Sequence, residues 1–308
     1  MKVLLATDGS AQATQALWTA IRLLRHGDNR FDLLCVAPEF YPPHHRLKKD
    51  SRKTAHMIET YRQQISVEAR QRMIHTQAVL AAQGIQAEIR VEIGSPARVI
   101  VRAASDYDLT VVGAHDRYSR SKPGLGPVAS RVVASAPGAV LVGRELAEGR
   151  NWRILAAVDG SLASEHALNL MVSYLRVASA EITLMHVAET PWIHLGLDRE
   201  WFDYPINVPD RDGNGVEYEF EDELRYEGRT VIENARRVLE RYGLTASTVI
   251  AEGDPALEIL SEVESGDYDL VVLGATGEAD LKHNMLGSVS TRVAQDAPCP
   301  VFVAKFVE

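Results

Sequence analysis

Short apolar runs alternate with longer stretches of helical periodicity along the whole chain. Val3–Thr7, Asp32–Ala37, Gln86–Val91, Leu109–Gly113 and Ala139–Val142 read as strands. The stretches near Ala11–Arg25, Ser51–Gln83, Pro96–Ser105 and Gly126–Ser135 read as helices between them. Pro96 suits a first helical position and Gly84 a helix stop. The second half repeats the alternation, with strands at Ile154–Val158, Ile182–Val187, Ser247–Ala251, Leu270–Gly274 and Val301–Ala304. Strand–helix alternation with continuously apolar strands predicts an α/β fold, a parallel sheet covered by helices on both faces.

The repetition extends to residue identity. "KVLLATDGSAQATQAL" (Lys2–Leu17) aligns without a gap with "RILAAVDGSLASEHAL" (Arg153–Leu168). "GSPARVIVRAASDYDLTVVGA" (Gly94–Ala114) aligns with "GDPALEILSEVESGDYDLVVLGA" (Gly253–Ala275), and "APGAVLVG" (Ala136–Gly143) with "APCPVFVA" (Ala297–Ala304). Three matches in one order make the chain two tandem copies of a domain of about 150 residues, a common domain size. The expected division is a first domain at 1–143, a polar linker at 144–152 and a second domain at 153–308.

Composition changes this picture little. Of 308 residues, 46% are hydrophobic and 24% charged, as in an ordinary globular protein. Lys and Arg number 33 against 42 Asp and Glu, a net charge of −9, which argues against nonspecific nucleic-acid binding. Cys35 and Cys299 each sit in an apolar run without a CxxC pair and read as buried small hydrophobes. Asp8 interrupts the first apolar run, leaving it too short for a signal peptide, and no stretch approaches 18 apolar residues. A cytoplasmic protein without a membrane span is expected. The copies differ mainly after their second strands. The first has the basic "PEFYPPHHRLKKDSRK" and the second an acidic insertion at roughly Pro191–Glu223. Both read as solvated loops, with mutual attraction across a domain interface as the alternative.

Candidate chemistry concentrates in the second copy. A doubly wound sheet binds ligands at the carboxyl ends of its strands, where strand order reverses. Neither GxGxxG after the first strand nor GxxxxGK[ST] is present. A glycine-rich element, "GATGEADLKHNMLGSVS" (Gly274–Ser290), follows the fourth strand instead. Gly274 and Gly277 would allow close backbone approach to a ligand. Gly287, Ser288, Val289 and Ser290 open a helix whose free amides and dipole favour phosphate, with hydroxyl donors from Ser288 and Ser290. Asp159, ending the first strand, can accept from ribose hydroxyls, and Val187 with Ala188 could offer backbone groups to a base. If the first and fourth strands are neighbours, Asp159 and Gly274 face one crevice, and the sum suits a nucleotide.

Asp-Gly-Ser after the first strand, "SEHAL" and "GATGEADLKHNMLGSVS" together resemble the universal stress protein family. Its ATP-binding members carry G-x2-G-x9-G-[ST], which Gly274, Gly277, Gly287 and Ser288 fit without a gap. The resemblance covers nearly the whole chain as two copies. It implies two tandem doubly wound five-stranded parallel sheets in the order 3-2-1-4-5, an adenine nucleotide alpha hydrolase-like fold. It also implies an Asp159 contact to ribose, a glycine loop around the phosphates of ATP with Mg, and pairing of domains through their last strands. That pairing is expected within one chain, with a homodimer of chains as a further arrangement. ATP-binding members often have Arg or Lys after the second glycine; here it is Glu278, with Lys282 and His283 nearby.

The first copy reads as an impaired site. In "GAHDRYSRSKPGLGPVAS" (Gly113–Ser130), Gly113 and Gly126 are kept, Asp116 replaces the second glycine and Pro127 replaces the Ser or Thr. Pro127 removes an amide and a hydroxyl, and Asp116 adds repulsion, a cost of roughly 2–5 kcal/mol to phosphate binding. No ATP is expected there although Asp8 is kept. The alternative is a ligand without phosphates, with Arg117, Arg120 and Lys122 along the loop.

"DRDGNGVEYEFE" (Asp210–Glu221) matches D-x-[DN]-x-[DN]-G-x5-E, with Asp210, Asp212, Asn214 and Glu221 as calcium ligands and a helix leaving after Glu221. No helix enters the loop, Glu217 stands where an apolar residue usually packs, and the reading favoured is a chance match. No nucleophile, metal triad or general base accompanies the glycine loop. The expected function is a nucleotide-binding regulatory protein of the stress response. Slow ATP hydrolysis, or a scaffold whose first domain binds a partner, is the alternative.

Overall fold

The computed structural model describes residues 1–25, 27–39, 51–114, 124–144, 151–189, 216–276 and 286–306. The chain divides into two compact units, Met1–Leu146 with Phe306–Glu308, and Ala147–Lys305.

In the first unit the strands are β1 (Lys2–Ala6), β2 (Arg30–Ala37), β3 (Ala87–Ile93), β4 (Leu109–Gly113) and β5 (Ala139–Gly143). The helices are α1 (Ala11–Leu23), α2 (Ser51–Ala81), α3 (Pro96–Ala104) and α4 (Pro127–Ser135). The strands lie in the order β3-β2-β1-β4-β5, and every pairing is parallel. The second unit has β6 (Arg153–Ala157), β7 (Glu181–Ala188), β8 (Ala246–Glu252), β9 (Leu270–Gly274) and β10 (Val301–Ala304), ordered β8-β7-β6-β9-β10. Its helices among the described residues are α5 (Leu162–Tyr174), α6 (Val216–Glu240), α7 (Pro255–Gly266) and α8 (Ser288–Asp296). In both units the expected 3-2-1-4-5 order holds.

Right-handed crossovers place α1 and α2 on one face and α3 and α4 on the other, because the direction of strand addition reverses after β3. Continuous apolar runs form the strands because both faces are covered: Val3, Leu4 and Leu5 on β1 and Val301, Phe302 and Val303 on β10 are all fully buried. Gly84 and Gly243 stop α2 and α6 in the left-handed region, at φ +78° and +71°. Each completes the same pair of closing bonds, Ile85 amide to Leu80 and Gly84 amide to Ala81 in the first unit, Leu244 to Leu239 and Gly243 to Glu240 in the second. Cys35 and Cys299 are buried and outside any disulfide.

Two glycines mark places where a helix backbone lies directly on a strand end. A Cβ on Gly143 would sit 2.5 Å from Ala16 Cα on α1, and one on Gly274 would sit 2.8 Å from the Ala163 carbonyl carbon on α5. At the end of β10, Lys305 is 2% exposed and its Nζ has no hydrogen-bond partner. Burial lowers its pKa to about 8. His166, which hydrogen-bonds the Lys305 backbone, is lowered by its own burial, partly offset by that bond.

Gly143→Ala and Gly274→Ala each lose about 1–3 kcal/mol or more in urea unfolding, because the obstacle is backbone that cannot swing away. Gly27→Ala, where a Cβ would meet nothing within 4 Å, stays within about 0.5 kcal/mol. For Lys305, the unfolded chain holds the proton up to pH near 10.5 while the fold releases it near 8. Unfolding therefore takes up a proton between those values, and stability rises with pH across that window and is flat below it. Lys305→Met is expected to be about 3 kcal/mol more stable than the parent at pH 7 and to lose the rise between pH 8 and 10.5, read as paired unfolding curves at each pH.

Candidate functional site

After β6 the chain turns through Asp159-Gly160-Ser161 into α5. Asp159 Oδ1 accepts from the Ser161 amide at 3.0 Å and from its hydroxyl at 2.5 Å. Ser161 Oγ accepts from the Ser164 amide at 3.2 Å and so caps the helix. Gly160 sits at φ +84°, a conformation that glycine adopts without strain. The first unit repeats the device with Asp8, Gly9 and Ser10. The triplet is therefore a turn-and-cap unit in its own right. What it leaves over is Asp159 Oδ2, on an exposed residue and without a protein partner among the described residues.

Pairing of β6 with β9 brings this turn beside the glycine-rich element. Ala156 lies opposite Val272, so continuing the register sets Val158 opposite Gly274. Gly277, Glu278, Lys282 and His283 lie outside the described residues. The chain is described again at Leu286, and Gly287 is the N-cap of α8, its amide donating to the Ala275 carbonyl at 2.7 Å. Ser290 Oγ donates to the Gly274 carbonyl at 2.7 Å. These two bonds pin the helix start to the strand end. The amides of Ser288, Val289 and Ser290 have no side-chain cap, and Ser288 is exposed. A row of uncapped amides at the positive end of a helix is a site for an anion.

Two expected roles look different in this geometry. Ser290 is 7% exposed with its hydroxyl proton already on a backbone carbonyl, so Ser288 is the free hydroxyl of the pair. Gly274 has a packing reason to be glycine, the α5 backbone against it, apart from any ligand.

On the other side of β6, Met185 accepts from the Val158 amide at 2.8 Å, and the β6–β7 ladder ends at that residue. Val187, two residues on, turns its backbone groups the same way, beyond the last paired residue of β6. His186 Nδ1 donates to the Val158 carbonyl at 2.9 Å, which puts a proton on Nδ1. Gly228 on α6 makes room for the ring: a Cβ there would lie 3.1 Å from His186 Cδ2. His186 was not among the candidates, although a histidine inside a mainly apolar strand was the available signal. Arg292 was missed as well. It shares a hollow of about 170 Å³ with Ser288 and Val289, and its Nη1 lies 3.6 Å from Asp254 Oδ2. Its i+4 spacing from Ser288 on one helix face was the signal there.

Asp210, Asp212 and Asn214 lie outside the described residues. Glu221 falls on α6, whose side chains are described only from Tyr226 onward. That helix begins at Val216 rather than after Glu221. Among the described residues no group of three or more His, Cys, Asp or Glu is placed to hold a metal, and no helix is long and apolar enough to cross a membrane. In the first unit, Gly126 caps α4, its amide donates to the Ala114 carbonyl at 2.8 Å, and Pro127 takes the first helical position. Asp116, Arg117, Arg120 and Lys122 lie outside the described residues.

With this geometry in view, the comparisons with known proteins agree on one family. The universal stress protein family model matches residues 1–144 and again 151–305. Universal stress protein YxiE of Bacillus subtilis is 32% identical over 153 residues, half of this chain and 98% of that protein. Universal stress protein Mb2028c of Mycobacterium bovis is 26% identical over 235 residues, 74% of this chain and 72% of its own. The crystal structure of a universal stress protein from Archaeoglobus fulgidus matches over 99% of this chain and 98% of its own with a TM-score of 0.64 at 20% identity, a likeness of fold. Two family matches in tandem, on two units of one strand order, make this chain a two-domain member of the universal stress protein family.

Proposed function

We propose that the second unit binds an adenine nucleotide, ATP with Mg, and that the protein is a cytoplasmic stress-response regulator rather than a dedicated enzyme. The observation that carries the reading is the uncapped start of α8 set beside the Asp159 turn by the β6–β9 pairing. Phosphate oxygens would take the Ser288, Val289 and Ser290 amides and the Ser288 hydroxyl, the dipole adding to the attraction. Ribose hydroxyls would donate to Asp159 Oδ2, and the base would meet the open backbone groups of Val187. Gly277 and its neighbours would close over the phosphates. Arg292, half-exposed and one turn on from Ser288, is the cation of that hollow, with its Nη1 3.6 Å from Asp254 Oδ2. In this reading bound nucleotide acts as a signal held by the protein, and any hydrolysis is slow.

The test uses the contrast between the units. Pro127 shows that a first-position proline is compatible with this helix start. Ser288→Pro should therefore keep the melting temperature while removing one amide and one hydroxyl, weakening ATP by roughly 10–100-fold in titration calorimetry. Asp159→Asn keeps the oxygen that caps Ser161, loses the free acceptor, and is expected to weaken ATP about tenfold. One ATP per chain is the expected stoichiometry. Two per chain, no binding with Mg present, or an unchanged affinity in Ser288→Pro would overturn the reading.

A further inference from the structure

At the carboxyl end of β6 the ladder to β7 closes with the Val158 amide on the Met185 carbonyl, at 2.8 Å. A parallel ladder continued by one bond would run from the Val187 amide to the Val158 carbonyl. Among the described residues that bond is not formed, and the carbonyl accepts from His186 Nδ1 at 2.9 Å instead.

The position of this bond gives it reach. Val158 immediately precedes Asp159, and His186 immediately precedes Val187. A peptide unit is planar, so a held Val158 carbonyl also sets the plane from which the Asp159 backbone starts. On the neighbouring strand the imidazole belongs to the residue next to Val187, whose backbone groups turn toward the β6 side beyond its last paired residue. One side-chain bond thus ties the carboxylate turn to the open backbone of β7 where no ladder bond does. The α8 start is held elsewhere, by the Gly274 and Ala275 carbonyls after β9.

The first unit solves the same place differently. Its ladder also closes with one amide, Thr7 on the Leu34 carbonyl at 3.0 Å. The registers Lys2 with Arg30 and Arg153 with Glu181 put Cys35 where the second unit has His186. Cys35 packs with Ala69 and Met73 of α2. The long helices correspond without a gap, since Gly84 and Gly243 stop them and Arg72 and Val231 lie under the two Asp-Gly-Ser turns. Ala69 therefore matches Gly228, where a Cβ would lie 3.1 Å from His186 Cδ2. Cys with Ala and His with Gly are two self-consistent pairs. A thiol is a weak donor and an imidazole N–H an ordinary one, so the second pair is the one built to hold a carbonyl.

We propose that His186 is a positioning residue for the nucleoside half of the second unit's site: its Nδ1–H holds the Val158 carbonyl and so sets the Asp159 carboxylate against the Val187 backbone, while the phosphate half at α8 stands independently of it. The proposal rests on the nucleotide reading above.

The test reads the two halves separately in the full chain, with ATP and Mg and with inorganic tripolyphosphate, which lacks base and ribose. His186→Val combined with Gly228→Ala keeps an apolar pair on the pattern of Cys35 and Ala69 and has no donor. It should weaken ATP about tenfold and leave tripolyphosphate within about twofold. His186→Asn puts an amide N–H at the Nδ1 position and should hold ATP within about threefold of the parent. A merely structural role would move both ligands together and would not be rescued by asparagine. In nitrogen-resolved NMR spectra of the free chain, a slowly exchanging proton on an imidazole Nδ1 is expected in the parent and absent from His186→Asn. The proposal is overturned by full ATP affinity in the donor-less pair, by equal weakening of tripolyphosphate, by an asparagine variant no better than that pair, or by a bare His186 Nδ1. A parent that binds no ATP overturns the nucleotide reading and this proposal together, whereas a parent that binds ATP and gives any of those results overturns this proposal alone.

Discussion

The close approach of α5 to the end of β9 is the constraint from which the rest of the second unit's crevice follows. Gly274 has the Ala163 carbonyl carbon 2.8 Å from where its Cβ would be, so the helix start can rest directly on the strand end. That contact brings the Asp159 turn against the carboxyl edge of β9. The same edge holds α8, through Ser290 on the Gly274 carbonyl and the Gly287 amide on the Ala275 carbonyl. One strand end thus fixes a carboxylate and a row of free amides relative to each other. A side chain at position 274 would push the α5 start away from the strand end.

The two units show how far one scaffold can be turned to different chemistry by few positions. Both keep the strand order, the Asp-Gly-Ser turn and cap, and the closing glycines of the long helices. The crevices diverge through side chains that the scaffold merely carries: Pro127 against Ser288, Ala129 against Ser290, Arg72 against Val231. In the first unit the result is a cavity of about 420 Å³ lined in part by Arg72. In the second it is an exposed helix start with Ser288 and Arg292 at its mouth. Divergence after duplication needs no change of fold, because ligand contacts come from loop and helix-end positions that the cores tolerate changing.

Much of this was legible from the chain. Strand positions came within a few residues, since fully covered parallel strands are continuous apolar runs, as in "LVVLG". The tandem repeat and the uncapped start at Gly287 were legible for the same reason: they rest on local pattern. The roles of Gly274 and Ser290 were not, since both depend on what lies opposite them in space. Gly274 has a packing role that the chain order does not show, with the α5 backbone against it. Ser290 looked like a free donor and is a tie to β9. Arg72 and His186 could not be assigned to any crevice from the chain, because α2 and β7 reach these sites only through packing. Lys305 likewise reads as an ordinary charged residue after a strand, and burial makes it an amine with a lowered pKa.

The sequence by itself determined the repeat, the α/β class, the turn-and-cap device and the family to which the chain belongs. Each is written in local residue order: periodicity, a glycine where the chain turns left-handed, a serine where a helix begins. The tertiary structure decided which hydroxyl is free and which glycine serves packing. Those are matters of neighbours across strands and helices distant in sequence, and space between side chains has no signature along the chain.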